Sequence, residues 1–275
     1  MTEQRYPKLA FIGAGNMARS IIGGLVQEGY PAEKIRASAR TEETLARLSE
    51  DFGTGTGSNH GIAQWAEVIV LAVKPQAMKA VAEDLSPSLT HRPLLISIAA
   101  GIDAESLGRW LGEEQAIIRC MPNTPSLVKA GASGLYANRH TTDIQRRQAE
   151  QIMAAVSRVQ WLDDEALMDA LTAVSGSGPA YFFLVMESMI DAGVQLGLDR
   201  ETATELTLQT ALGAATLAQG SDVGVDELRR RVMSPGGTTE AAIASFEQNK
   251  LRETFQSAMT ACAERSAELA RELGR

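Results

Sequence analysis

The chain is 275 residues long, 44% of them apolar, and carries a formal net charge of -8. That length exceeds the roughly 100 to 150 residues of an ordinary domain, and the apolar content supports real cores, so two globular domains are expected. The acidic balance speaks against a nucleic-acid partner, whose backbone requires a basic face, and favours a small molecule.

Read from the start, Met1 to Lys8 lacks the apolar stretch of a secretory leader. Leu9 to Ile12 is a short apolar run followed by Gly13-Ala14-Gly15-Asn16-Met17-Ala18, and apolar residues then recur at 17, 18, 21, 22, 25 and 26. This spacing predicts a strand, a glycine turn and an amphipathic helix closed by Gly29. A dinucleotide pyrophosphate needs backbone N–H groups at close range and the positive end of a helix dipole. Gly13 and Gly15 leave that approach clear, and Ala18 is the small residue that lets helix and strand pack closely. Gly23 and Gly24 cost roughly 1 kcal/mol each against alanine inside a helix, and are read as close-packing positions on the sheet.

A second strand is expected over Ile35 to Ala39, with Thr41 capping the next helix and Glu42 and Glu43 in its first turn, where the dipole favours acids. An NAD-specific fold would end this strand with an acid for the ribose 2′-hydroxyl, whereas Ser38-Ala39-Arg40-Thr41 leaves room and adds an arginine. NADPH is therefore the expected coenzyme, with NADH as a secondary one and Arg40 beside the 2′-phosphate; the alternative is that Arg40 is a solvated loop charge.

Val68 to Val73 is continuous and rich in β-branched residues, as a parallel strand buried on both faces should be, and Lys74-Pro75 ends it. It is the longest aliphatic run, far below the roughly 18 residues needed to cross a bilayer, so no membrane association and a cytoplasmic location are expected. Further strands are expected over Leu94 to Ile98, Ala116 to Met121 and Arg158 to Leu162, with helices between them. The alternation predicts an α/β fold with a Rossmann-type doubly wound sheet over residues 1–163. Ligands bind such sheets at the carboxyl ends of the strands, where Gly13-Ala14-Gly15, Val73-Lys74-Pro75, Ala99-Ala100-Gly101 and Pro122-Asn123-Thr124 all fall.

From Asp163 onward the strand pattern stops, and residues 164–275 are expected to form an all-helical domain. Helix-compatible spacing covers Ala166 to Val174, Ala180 to Leu198, Glu201 to Gln219 and Leu251 to Leu273, with Asp199 as an N-cap. Met186, Met189, Met233 and Met259 are expected to fill core or interface gaps. Ser175-Gly176-Ser177-Gly178-Pro179-Ala180 reads equally as an interdomain turn or a functional loop, with Pro179 in the first turn of the helix that follows. Ser234-Pro235-Gly236-Gly237-Thr238-Thr239 precedes a helix over Glu240 to Phe246. Its glycines expose successive N–H groups and its threonines add hydroxyls, which makes either a receptor for a small carboxylate or a self-capped helix start. Neither threonine has Glu or Gln three residues later, so no capping box is expected to occupy those donors. Cys120 and Cys262 form no paired motif and are read as buried thiols. His60, His91 and His140 are scattered, so no metal site is expected.

Six segments together carry a resemblance: FIGAGNMA near the start, LAVKPQ at 71–76, SIAAGI at 97–102, RCMPNTP at 119–125, SGSGPAY at 175–181 and VMSPGGTTEAAI at 232–243. In this order and spacing the chain resembles the pyrroline-5-carboxylate reductase family along nearly its whole length. The resemblance implies reduction of L-1-pyrroline-5-carboxylate to L-proline by hydride transfer from NADPH, in proline biosynthesis. It implies a nucleotide site at Ile12, Gly13, Ala14, Gly15, Asn16 and Met17, at Ala39, Arg40 and Asn59, at Ala72, Val73, Lys74 and Pro75, and at Ile98, Ala99 and Ala100. For the substrate it implies Ser234, Gly236, Gly237 and Thr238, with Thr239 as the catalytic hydroxyl on the imine nitrogen and Asp222 where some members have glutamate. It also implies that the helical domain dimerises, giving a homo-oligomer of at least two chains with a decamer as the larger form. A hydroxyacid-type dehydrogenase would need a lysine in the helical domain, yet after Lys129 the next lysine is Lys250. A non-catalytic nucleotide sensor is separated from both by assay.

Overall fold

The computed structural model describes residues 6 to 274, so the stretch read for a leader lies outside the described residues as far as Arg5. The first part of the chain runs β1 (Leu9–Ile12), α1 (Asn16–Gln27), β2 (Ile35–Ser38), α2 (Glu42–Phe52), β3 (Gly55–Thr56), α3 (Asn59–Trp65), β4 (Val68–Leu71) and α4 (Pro75–Leu85). It continues with β5 (Leu94–Ser97), α5 (Ala104–Leu111), β6 (Ile117–Met121), β7 (Gly131–Ala137), α6 (Asp143–Ala154) and β8 (Ser157–Trp161). The strands form one sheet in the order β3-β2-β1-β4-β5-β6-β7-β8. Pairing is parallel from β3 through β6, antiparallel between β6 and β7, and parallel again between β7 and β8. This is the expected Rossmann-type sheet, the strand expected over Arg158 to Leu162 included as β8, with β3 and β7 added.

Alternation along the central strands fills two cores. Leu9 and Phe11 of β1 and Val68 and Val70 of β4 face one side, while Ala10, Ile12, Ile69 and Leu71 face the other. All eight are buried to 1% exposure or less, and each large aliphatic side chain so buried contributes on the order of 1.5–3 kcal/mol. The two faces are covered by helices, so the continuous apolar reading of Val68 to Val73 holds, although the strand itself stops at Leu71. The expected caps are present: Thr41 accepts from the N–H of Thr44 at 3.4 Å, and Gly29 takes φ +86 with its N–H on the Val26 carbonyl at 3.1 Å. Gly23 and Gly24 do pack closely, but against Phe52 of α2 and Ala155–Val156, not against a strand.

Beyond β8 the chain continues with α7 (Leu167–Leu171), a π-helical turn (Thr172–Gly176), α8 (Gly178–Gln195), α9 (Arg200–Gln219), α10 (Val225–Val232), α11 (Thr238–Gln248) and α12 (Leu251–Leu273). Among the described residues, no strand lies in this part. Compactness divides the chain differently from the 163/164 reading: the sheet unit runs to Ser177 and takes back the chain from Ala261, and the second unit is Gly178–Thr260. The reason lies in side-chain ties within the sheet unit. Arg119 of β6 pairs with Glu165 at 2.8 Å, Ser266 donates to Asp169 at 2.7 Å, and Ser106 of α5 donates to the Gly274 carbonyl at 3.1 Å. Helical periodicity alone does not tell which helices stay on the sheet. Among the described residues no helix is long and apolar enough to cross a membrane.

Candidate functional site

The sheet register builds the first site. Ile12 is level with Ser38 of β2 and Leu71 of β4, Leu71 with Ser97 of β5, and Ser97 with Arg119 of β6. The next residues, Gly13, Ala39, Ala72 and Ile98, therefore emerge side by side at one rim. Gly13 takes φ +98 with its N–H on the Ser38 carbonyl, and a Cβ there would lie 2.7 Å from the Ala72 carbonyl oxygen. Only glycine permits the β1 and β4 loops to approach this closely.

Gly15 is the N-cap of α1, with no side-chain cap, no acid in the first turn, and open space where a Cβ would stand. Lys74 is the N-cap of α4, also without a side-chain cap, and Pro75 opens that helix. Two helix N-termini thus turn positive dipole ends to one cleft of about 420 Å³, α1 with bare N–H groups and α4 with Pro75, which has none, and an Ala77 N–H held on the Lys74 carbonyl at 2.9 Å. This cradle fits a dinucleotide's phosphates.

Of the nucleotide residues expected from sequence, Gly13, Ala14, Gly15, Ala39, Arg40, Asn59, Ala72, Val73 and Lys74 line that cleft. Asn16, Met17 and Pro75 open the flanking helices, and Ile98, Ala99 and Ala100 follow β5 along the rim. Ile12 is 1% exposed and its carbonyl accepts from Ala72 N–H at 2.9 Å, so it supports the turn from beneath. Arg40 is exposed at the cleft wall, with no hydrogen bond or ion pair among the described residues. Sequence reading omitted Ser38, Thr44, Ala77 and Val81 from the site and took Thr41 only as a cap, yet all five line the cleft. Thr41 and Thr44 are 2.8 Å apart at their hydroxyls, beside Arg40.

The second candidate site is the loop before α11. Gly236 takes φ +69, and Gly237 is the N-cap of α11, where a Cβ would meet the Ser234 carbonyl oxygen at 2.9 Å. Two expected donors are already engaged, which corrects the reading that they stand free. Gly237 N–H closes the turn on the Ser234 carbonyl at 2.9 Å, and Gly236 N–H donates to Glu240 Oε2 at 2.6 Å. The bare amides of the first turn are those of Thr238, Thr239 and Glu240, the first bond back to Gly237 being that of the Ala241 N–H. Asp222 is exposed in the connection before α10, and no hydrogen bond or ion pair joins it to this loop.

Cys120 is buried, and burial pushes its thiol up to about 12, against a smaller lowering by the Ser133 hydrogen bond. Cys262 is half-buried, not buried as expected, and donates to the Ser177 hydroxyl at 3.3 Å. None of Met186, Met189, Met233 and Met259 is buried in the single chain, so the core reading fails for them. No group of three or more His, Cys, Asp or Glu suited to a metal occurs among the described residues.

Comparison with known proteins finds two family models in the chain. Residues 165–269 match the family described as pyrroline-5-carboxylate reductase dimerisation, and residues 8–101 match NADP oxidoreductase, coenzyme F420-dependent. A pyrroline-5-carboxylate reductase of Pseudomonas aeruginosa is 56% identical over 269 residues, covering 98% of each chain. The solved structure of a pyrroline-5-carboxylate reductase from Coxiella burnetii is 45% identical, with a TM-score of 0.94 over 97% of this chain and 99% of the other. That of the Plasmodium falciparum pyrroline carboxylate reductase with NADP bound is 32% identical, with a TM-score of 0.85 over 96% and 98%.

Proposed function

The chain belongs to the pyrroline-5-carboxylate reductase family, and from that premise we propose that it reduces L-1-pyrroline-5-carboxylate to L-proline, with NADPH preferred over NADH. The observation that carries this reading is the cleft at the β1 and β4 ends, where two uncapped helix N-termini, an open Gly15 and a free Arg40 converge. NADPH supplies the hydride that adds to the imine carbon. The chain's own groups supply the rest. The amides of Ala14 to Met17 and the dipole end of α4 take the pyrophosphate, with the Gly13 N–H spent on the Ser38 carbonyl that fixes the turn. Arg40 with Thr41 and Thr44 takes the 2′-phosphate, Asn59 and Ala39 flank the adenosine, and Ile98 to Ala100 extend the rim toward the second nucleotide half.

At the loop before α11, the N–H groups of Thr238 and Thr239 hold the substrate carboxylate, and Gly236 joins them when Glu240 turns away. Gly237 and Ser234 fix the turn that aims these donors. The Thr239 hydroxyl hydrogen-bonds the ring nitrogen and passes it a proton from water. A cyclic imine of this type gains a proton near neutral pH, so a hydroxyl suffices where a strong acid would otherwise be needed. Asp222 acts only through its charge on the protonated ring.

The working form is proposed to be a cytoplasmic homo-oligomer, a dimer or a decamer built from dimers. Supporting the dimer is the apolar surface of Gly178–Thr260, where Phe182, Phe183, Leu184, Leu212 and Leu217 are each more than 60% exposed. The test is a steady-state panel of cyclic imines against both coenzymes. The expected result is turnover with the five-membered imine carboxylate and faster use of NADPH; coenzyme oxidation that ignores the imine would reject the reading.

A further inference from the structure

Two of the segments that mark this chain, Arg119 to Pro125 and Ser175 to Tyr181, have no part in the roles assigned above. The structure joins them. Asn123 follows β6, is 8% exposed, and uses both ends of its amide. Its Nδ2 donates to the Ser175 carbonyl at 3.0 Å, and its Oδ1 accepts from the Ala132 N–H at 2.9 Å. The first bond answers a specific deficit. In an unbroken α-helix the Ser175 carbonyl would accept from residue 179, but residue 179 is proline and has no N–H.

The chain widens into a π-helical turn over Thr172–Gly176, with the Ser177 N–H on the Thr172 carbonyl five residues back at 2.8 Å. The Ser175 carbonyl is thereby left for Asn123. Gly176 lets the turn lie on β6, since a Cβ there would stand 2.6 Å from Met121 Cε. Short π-helical insertions are less stable than continuous helix and recur where function requires them.

Placement gives the turn its meaning. The nucleotide cleft lies at β1, β2 and β4. A dinucleotide bound there crosses the switch point and lays its second half over β4, β5 and β6. With strands about 4.8 Å apart, β6 lies about 15 Å from β1, beyond the Ile98–Ala100 rim. The Asn123-held turn therefore bounds the end of the rim where the nicotinamide belongs.

We propose that Asn123 is a positioning residue for the reduction, holding the Thr172–Gly176 turn against the carboxyl end of β6 so that the wall of the nicotinamide half keeps a fixed shape. This rests on the proposed reductase reading. Asn123→Asp tests it in the full-length enzyme, because the carboxylate still accepts from Ala132 but cannot donate to Ser175, and regains a donor when protonated. Three quantities are read: kcat, NADPH dissociation constant, and hydrogen exchange of a peptide spanning residues 172–180.

At neutral pH, kcat is expected to fall by about tenfold or more, a cost typical of small misplacements, while NADPH affinity stays within about twofold. Exchange in the 172–180 peptide is expected to quicken. Both defects are expected to shrink relative to the unsubstituted enzyme as pH falls toward the carboxyl range. Unchanged exchange, unchanged kcat, or loss of NADPH affinity in step with kcat would each overturn the proposal. If the variant does not fold, Pro179→Ala gives a second route: restoring the N–H is expected to compete for the Ser175 carbonyl and lower kcat without loss of NADPH affinity, and an unaltered kcat overturns it. If the unsubstituted enzyme ignores the imine, the reductase reading fails instead, and the exchange measurement still reports on the Asn123 bond.

Discussion

At the level of single residues, Arg40 is the residue proposed to decide coenzyme choice. Its guanidinium is exposed at the cleft wall beside two hydroxyls and has no competing acid, so a 2′-phosphate would find an unspent partner. Hydrogen bonds to charged groups are worth about 1.5–3 kcal/mol. Arg40→Ala is therefore expected to weaken NADPH binding by about 10- to 100-fold and NADH binding hardly at all, measured by titration of each coenzyme. At the other site, Thr239→Ala is expected to lower kcat by about 100-fold, within the range of general acid–base contributions, with NADPH affinity retained; an unaltered kcat would remove this hydroxyl from the reaction. Glu240 is the unexpected residue. Its carboxylate sits on the Gly236 N–H that the proposed site would offer a substrate carboxylate, so the two would compete. Glu240→Gln is expected to lower KM for the imine by a few-fold, since a neutral amide is the weaker occupant; a raised KM would show that Glu240 aids binding. Thr239 was singled out only through the family resemblance, whereas the glycine turn and the position of Arg40 at the cleft were legible in the sequence because each rests on local chemistry. Glu240 was not, because it lies four residues from Gly236 and outside the capping spacing counted from either threonine. Ser38, Ala77 and Val81 were not, because only the register of β1, β2 and β4 brings them to the cleft.

Secondary elements divide the same way. Of the strands expected, β1, β4 and β5 follow apolar runs, β4 alone largely β-branched, while β2, β6 and β8 mix polar residues in; the expected limits of all six fall within two residues of the observed ones. β7 escapes that reading: Gly131-Ala132-Ser133-Gly134 has neither alternation nor β-branching. It is a strand because β6 and β8 pair with it on both edges, and because Gly134 makes room for Leu171. β3 is two residues long and gives no pattern at all. Helix glycines can be sorted by what surrounds them. In α1, a Cβ on Gly24 would meet the Ala155 carbonyl oxygen at 2.9 Å and the Val156 side chain, whereas Gly108 in α5 has open space. Gly24→Ala is expected to destabilise by about 1–3 kcal/mol through overpacking, while Gly108→Ala gains about 1 kcal/mol of helix propensity. Urea midpoints at matched slope check both, and equal shifts would contradict the packing assignment.

At the scale of the molecule, the sequence separates a sheet half from a helical half but does not reveal which helices belong to the sheet. The segment from Glu165 to Ser177 and the end of α12 are held on the sheet unit by Arg119, Asp169 and Ser106, contacts between residues far apart in the chain. The remaining unit carries a broad exposed apolar surface, consistent with the dimerisation family that residues 165–269 match. The claim on which all the assigned roles converge is that the coenzyme's hydride ends on the imine carbon of the substrate. The direct measurement is turnover of pyrroline-5-carboxylate with NADPH deuterated on the transferring face, followed by isotope analysis of the product. The expected result is one deuterium per L-proline, on the ring carbon that was double-bonded to nitrogen. Proline free of deuterium, or coenzyme bound but never consumed, would contradict it.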